Sequence, residues 1–186
     1  MQGIILAGGM SSRMKHNKML LFYMGKPLIE YAIQLLTPFV NEIIVVTGHY
    51  HDDIAKYLSG RKQITVIKNT NYKNGMFSSV KTGVKAAKES VLIMPGDMPK
   101  IQQTTIQAIL NGIGSLRVPS VNNQRGHPLY LDQSLFKALL KEPDTSHLKA
   151  FRNKHVIHHI KVNDTGILID IDTPTELIQL RKGELM

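Results

Sequence analysis

The sequence predicts an α/β fold: a three-layer αβα sandwich on a mostly parallel sheet, with a short antiparallel segment in the C-terminal half. Two observations predict it. From residue 2 to residue 112, short apolar runs alternate with amphipathic stretches. Such alternation marks a parallel sheet covered by helices on both faces. After residue 114 the alternation breaks, and two strand-like runs, "SLRVPSV" and "GHPLYLD", flank the turn "NNQR". That pattern predicts two short paired strands.

Each element has its own signal. "QGIILAG" is the first strand. In "PLIEYAIQLL", Leu28, Ile29, Ala32, Ile33, Leu35 and Leu36 share one helical face, with Pro27 as first helical residue. "EIIVVTG" is a β-branched, buried strand. "HDDIAKYLSG" is a short helix closed by Gly60, and "QITVIKN" is the next strand. "FSSVKTGVKAAKES" is a helix opening near Ser78 or Ser79. "SVLIMPGDMP" is a strand running into a loop, and "QQTTIQAILNG" is a helix stopped by Gly112. Beyond the antiparallel pair, "QSLFKALLK" reads as helix, and "HVIHHIKV" and "GILIDID" read as strands. "TPTELIQLRK" is a closing helix with Thr173 as N-cap, Pro174 at the first position and Glu176 at the third.

The 186 residues suit one domain spanning 1–186. No run approaches the roughly 18 apolar residues of a membrane span, and no secretory leader is read at "MQGIIL". Cysteine is absent, which excludes disulfides and thiolate metal sites and makes a cytoplasmic location the expectation. The net charge of +9 fits a nucleic acid, an anionic surface or a small polyanion. The basic residues are dispersed, tryptophan is absent, and aromatics are 6 %. Stacking platforms for single strands are therefore scarce, and a small anionic ligand is expected rather than nucleic acid.

The loop "LAGGMSSRMKHNK", residues 6–18, follows the first strand. Glycines bring backbone N–H groups close to oxygens, and Ser11 and Ser12 add donors. Arg13 offers a bidentate fork and Lys18 a point charge. The loop is thus a candidate phosphate cradle, although a strand ending in Gly-Gly also suits a tight surface turn. It is neither a Walker A loop, since Met19 follows Lys18, nor a G-x-G-x-x-G fingerprint.

"LIMPGDMPKI" sets Asp97 just beyond a buried strand, at the edge where open α/β sheets bind ligands. A carboxylate facing a phosphate cradle suits Mg²⁺; an Asp ahead of the helix near residue 102 is the plain alternative. "LIDIDTPTEL" supplies Asp170 and Asp172, which on a strand share one face about 6.6 Å apart. Either can join Asp97 at the metal.

The opening loop resembles the nucleotidyltransferase signature L-A-[AG]-G-x-[SG]-x-R-M-[GR]-x-x-K at Leu6, Ala7, Gly8, Gly9, Ser11, Arg13, Met14 and Lys18. Lys15 departs, where glycine is usual. Four more segments follow in family order: Gly75-Met76 with Ser79-Val80 and Gly83, Gly96 to Pro99, Arg125 to Pro128, and Asp170 to Pro174. Together the five are similar to the cytidylyltransferase branch of the molybdenum cofactor nucleotidyltransferases, within the MobA-like NTP transferase family. "LAGG" is the form common in the guanylyltransferase branch. "EPDTSHLKAF" keeps only the Asp of a G-D-x-G-A-R-like segment, and "DTPTEL" departs from D-T-P-E-D.

The resemblance implies a Rossmann-like fold of the nucleotide-diphospho-sugar transferase kind and cytidylyl transfer to molybdenum-molybdopterin, with CTP preferred to GTP. The nucleotide-binding set is Leu6, Ala7, Gly8, Gly9, Ser11, Arg13, Lys18, Gly75, Met76, Ser79 and Asp97. Arg13, Lys18 and Asp97 form its catalytic part, and Arg125, Gly126, His127 and Pro128 face the acceptor. Asp97 with Asp172 or Asp170 holds Mg²⁺, and a molybdenum hydroxylase is the partner such enzymes often serve. A phosphate monoester acceptor is largely dianionic at pH 7, so the reaction needs no general base, only positioning and charge neutralisation. Guanylyl transfer, a sugar- or alditol-phosphate acceptor, and a non-catalytic nucleotide or nucleic-acid binding module are the competing readings.

Other residues are read as structural. His155 and His159 stand about 13 Å apart on one strand face, too far to share a metal. His49 and His51 fall in a surface loop. His127 serves acceptor contact or turn packing. Met10, Met14, Met19 and Met24 fill gaps around the opening loop.

Overall fold

The computed structural model describes residues 1–14 and 16–183; Lys15, the departure in the opening loop, lies outside the described residues. In chain order the elements are β1 (Gln2–Ala7), β2 (Phe22–Tyr23), β3 (Lys26–Pro27), α1 (Leu28–Leu36), β4 (Glu42–Thr47), α2 (His51–Leu58) and β5 (Ile64–Lys68). Then come α3 (Met76–Ala86), β6 (Val91–Pro95), α4 (Gln103–Asn111), β7 (Leu116–Val121), β8 (Gln124–Arg125) and β9 (Leu129–Leu131). The chain closes with α5 (Phe136–Lys141), α6 (Leu148–Asn153), β10 (His158–Lys161) and α7 (Pro174–Lys182).

The main sheet runs β10-β7-β9-β6-β1-β4-β5, with β8 paired to β7. Strands β6, β1, β4 and β5 are mutually parallel, as are β10 and β7. Strand β9 runs against both β6 and β7. The antiparallel interruption therefore lies where the alternation broke in the sequence.

Side chains alternate along each strand, so the two faces of the sheet build two cores. Ile5, Val45, Leu92 and Met94 pack with Ile29 and Ile33 of α1, Ile54 of α2 and Ile106 of α4. Ile4, Leu6, Val46 and Ile93 pack with Phe77 and Val80 of α3, Phe136 of α5 and Phe151 of α6. This is the predicted three-layer sandwich. Among the described residues no helix is long and apolar enough to cross a membrane.

A third, smaller cluster positions the site. Leu177 and Leu180 of α7 pack with Ile171, Met14 of the opening loop, Tyr23 of β2 and Leu28 of α1. The Thr173 side chain accepts from the Glu176 N–H, and the Glu176 carboxylate accepts from the Thr173 N–H, forming the capping box expected from sequence. Helix α7 thus clamps the segment before it against the opening loop.

Several expectations are corrected. "GILIDID" is not a strand. Thr165–Leu168 is a 3₁₀ turn and residues 169–172 are irregular. Asp164 holds that turn by accepting from the backbone N–H groups of Gln102 and Gly166 and from the Thr105 hydroxyl, while the strand beside β7 is β10. Asp170 and Asp172 therefore share no strand face: Asp170 is exposed, and Asp172 is half-buried. Pro27 is the N-cap of α1 rather than its first residue. Helix α3 opens at Met76, behind Gly75 at φ +91°, two residues before Ser78. His51 begins α2, and its Nδ1 bonds the Thr47 hydroxyl. His155 precedes β10 and stacks on Phe151. Met14 and Met19 are buried gap-fillers, but Met10 and Met24 are 51 % and 78 % exposed.

Candidate active site

The chain leaves β1 toward β4 and β5, then returns to the other side of β1 as β6. Loops leaving β1 and β6 diverge at that switch point and open a crevice at their carboxyl ends. The opening loop enters it from β1, and Asp97 enters it from β6.

Lys18 is the centre of the arrangement. Its ammonium pairs with the Asp97 carboxylate and lies 2.7 Å from Asp172 Oδ1. Arg13 pairs with the other Asp172 oxygen from the solvent side. The Ile171 N–H donates to the Asp97 carbonyl, which ties the two acidic segments together. Burial pushes the Asp97 carboxyl up, and the Lys18 ammonium opposes the shift. Burial works against the Lys18 charge too, but Asp97 and Asp172 outweigh it and raise its pKa. The Lys18 hydrogen bond leads in holding Asp172 below the usual carboxylate range, and Arg13 adds to it. Asp97 Oδ1 is buried and has no hydrogen-bond partner. A buried carboxylate oxygen left bare is costly unless a cation meets it.

Beside this cluster lies a cavity of about 280 Å³ lined by Leu6, Gly8, Gly9, Lys18, Gly75, Met76, Ser79 and Asp97. Eight of the expected residues therefore converge. A side chain at Gly8 would come within 2.8 Å of Ser79 Oγ, so anything larger than glycine here would push that hydroxyl out of place. Ala7 instead packs in the core. Ser11 accepts from the Lys18 N–H at 3.4 Å and steadies the loop, and Arg13 is 65 % exposed at the rim.

Sequence reasoning missed several residues. Met10, Tyr72 and Lys73 also line the cavity. Buried Asn69, at the end of β5, donates to both Ser78 Oγ and Ser79 Oγ and accepts from the Asn71 N–H. The run that carries Asn69, Tyr72 and Lys73, "NTNYKN", holds no motif, but it does follow a parallel strand at the binding edge.

The expected acceptor segment lies next door. Arg125, Gly126 and His127 line a second cavity of about 210 Å³ that shares Met76 and Pro95 with the first. Pro128 is buried at the entry to β9. Asp170 lines the second cavity, not the first, and does not pair with Lys18, although its charge still reaches the Asp97 carboxyl and adds to the rise in its pKa.

His127 carries a pH prediction. Burial first, then the Arg152 charge, lowers its pKa from 6.5 to about 4. Between these values the unfolded chain binds the extra proton, so stability rises with pH across the window and is lost as pH falls. The loss is about 3 kcal/mol by pH 4. His127→Gln should flatten the slope of unfolding free energy between pH 4 and 6.5 in urea titrations. A slope as steep as in the parent would place the proton uptake elsewhere.

Among the described residues no group of three or more His, Cys, Asp or Glu gathers. Two carboxylates, one with a bare oxygen, still suit Mg²⁺, which takes one or two protein carboxylates and completes its shell with substrate phosphates and water.

The model of the MobA-like NTP transferase domain matches residues 3–160. This chain belongs to the MobA-like NTP transferase family. As a MobA-like nucleotidyltransferase it is 29 % identical over 185 residues to the molybdenum cofactor cytidylyltransferase of Escherichia coli (strain K12), covering 96 % of this chain and 94 % of the relative. It is 28 % identical over 195 residues to a "Probable molybdenum cofactor guanylyltransferase" of Bacillus cereus (strain G9842), covering 97 % and 95 %. In structure it superposes on Rv0371c from Mycobacterium tuberculosis H37Rv with a TM-score of 0.82 at 18 % identity, over 97 % of both chains. A complex of that protein with manganese superposes with a TM-score of 0.76 at 16 % identity, again over 97 % of both chains.

Proposed function

We propose that residues 1–186 work as one cytoplasmic domain that transfers CMP from CTP to a phosphate-bearing acceptor, molybdenum-molybdopterin, with release of pyrophosphate. The observation that carries this reading is the Lys18–Asp97–Asp172 cluster at the edge of a glycine-lined cavity, with a second cavity sharing its wall. The acceptor phosphate oxygen attacks the α-phosphorus, the new P–O–P link forms, and the bond to the β-phosphate breaks. Backbone N–H groups at Gly8 and Gly9 cradle the triphosphate, and Lys18 and Arg13 face its charge. Met76 and Ser79 border the base and ribose, and exposed Met10 also lines this cavity. Asp97 and Asp172 would hold Mg²⁺, which when bound neutralises triphosphate charge. The manganese complex of Rv0371c supports a divalent ion on this fold. A molybdenum hydroxylase is the proposed recipient of the product.

The test is pyrophosphate release with each NTP, with and without molybdenum cofactor. Release should require both substrates, and CTP should win a direct competition with GTP. The preference for CTP rests on four cytidylyltransferase-like segments and on the E. coli relative. "LAGG" and the B. cereus relative favour GTP, and a clear GTP preference would reverse the assignment.

Asp172 should matter more to the metal than Asp170. Of these two carboxylates Asp172 alone pairs with Lys18, and Asp170 lines the second cavity. In a Mg²⁺ series, Asp172→Asn should raise the half-saturating concentration several-fold, with a smaller change for Asp170→Asn. The opposite order would move the metal toward the second cavity.

A further inference from the structure

Both carboxylates assigned to the metal are engaged by cationic side chains. Lys18 Nζ pairs with Asp97 Oδ2 and stands 2.7 Å from Asp172 Oδ1. Arg13 pairs with Asp172 Oδ2. Each oxygen of Asp172 thus has a cation on it, and Asp97 keeps only buried Oδ1 for another partner. A divalent ion held by both residues needs an oxygen from each. Asp97 Oδ1 offers one. A second cation on either oxygen of Asp172 would lie against the first, and like charges so close repel strongly. Asp172 is therefore open to the ion only when Lys18 or Arg13 moves.

The two cations are held differently. The Arg13 side chain is 65 % exposed and that of Lys18 only 10 %. Lys18 is the tighter closure, because a buried pair is screened little by water and salt. Its backbone is anchored: Met19 beside it sits in the core, and the Leu21 N–H donates to the Lys18 carbonyl. Its head is free to change partner, since a lysine carries a compact charge on a flexible four-carbon stem. Lys18 also lines the first cavity together with Gly8 and Gly9, so a triphosphate there offers it another anion.

We propose that Lys18 gates the metal seat, with Arg13 as the outer half of the closure. Together they keep a free divalent ion off Asp172 until the nucleotide's phosphates draw them away, and Asp172 then joins Asp97 at the ion. Metal and nucleotide thereby favour each other's binding through Lys18, in addition to their own chelation in solution. The inference rests on the nucleotidyltransferase reading and deepens it, by setting the order in which the site assembles.

The probe is Mn²⁺ alone, titrated at pH 8 without nucleotide and followed by the electron paramagnetic resonance signal of the free ion. Lys18→Met should bind it at least about tenfold more tightly than the parent, a size ordinary for coupling between sites. Lys18→Arg keeps the charge and should stay near the parent. Adding Asp172→Asn to Lys18→Met should abolish the gain, which places the gained ion on Asp172. Should Lys18→Met fail to fold, Arg13→Met, at an exposed position, should tighten Mn²⁺ several-fold. Release of the gate is read in the parent carrying ¹³C-labelled lysine. With Mg²⁺ and the α,β-methylene analogue of the preferred NTP, the Lys18 ε-carbon resonance, assigned by its absence in Lys18→Arg, should move. Mn²⁺ affinity no higher in the Met variant, a gain that survives Asp172→Asn, or a Lys18 resonance that stays in place with analogue bound overturns this inference alone. Failure of the analogue to bind the parent overturns the nucleotide reading and this inference with it.

Discussion

Asp97→Asn should lower pyrophosphate release at least about a hundredfold at ordinary Mg²⁺, the size of loss seen when one preorganised charge is removed from a reacting centre. The residue stands where the carboxyl ends of β1 and β6 diverge, and one oxygen of its buried carboxylate is bare. Asparagine keeps the shape but not the charge. The fold should survive, because Lys18 keeps Asp172 and the Asp97 carbonyl still accepts from Ile171. Circular dichroism and a melting curve close to the parent's would confirm that the loss is chemical. Near-normal release by the variant would remove Asp97 from the metal and from the reaction.

Lys18→Met should raise the NTP dissociation constant about tenfold or more and slow transfer, by removing a charge-assisted contact with the phosphates. The structure adds a consequence for stability. Lys18 is the ion-pair partner of buried Asp97, and removing one partner of such a pair costs about 3–5 kcal/mol. Without the ammonium, burial raises the Asp97 pKa further above its unfolded value. The folded state then holds a proton that the unfolded state releases, so the variant's stability falls as pH rises through that window. Lys18→Met should therefore melt lower at pH 8 than at pH 5, more steeply than the parent. Unchanged NTP titration and unchanged turnover together would leave Lys18 only its structural role.

Much of this was legible because the signals are local. The closing helix shows its capping box within four residues, and the structure has both reciprocal bonds. Alternating Ile4, Ile5 and Leu6 supply both faces of a central strand. The glycine pair and Asp97 each follow a buried strand, and parallel strands send such positions to a common edge. "GILIDID" shows the limit. Its alternation fits a strand, but Asp164 locks the chain into a 3₁₀ turn through bonds to Gln102 and Thr105, some 60 residues away.

The sequence by itself determined the alternation of elements, the antiparallel break after residue 114, the capping box of the closing helix and the residue types of the binding edge. These depend on neighbours one to four residues apart, where propensity, capping and side-chain period act. Only the tertiary structure decided that Lys18 sits between Asp97 and Asp172 and that Asp170 lines a different cavity. Lys18 meets a residue 154 positions away because Ile171 and α7 bury their apolar side chains against Met14 and Tyr23. Hydrophobic burial of one small cluster placed those charges, and burial between distant segments has no period that a sequence can display.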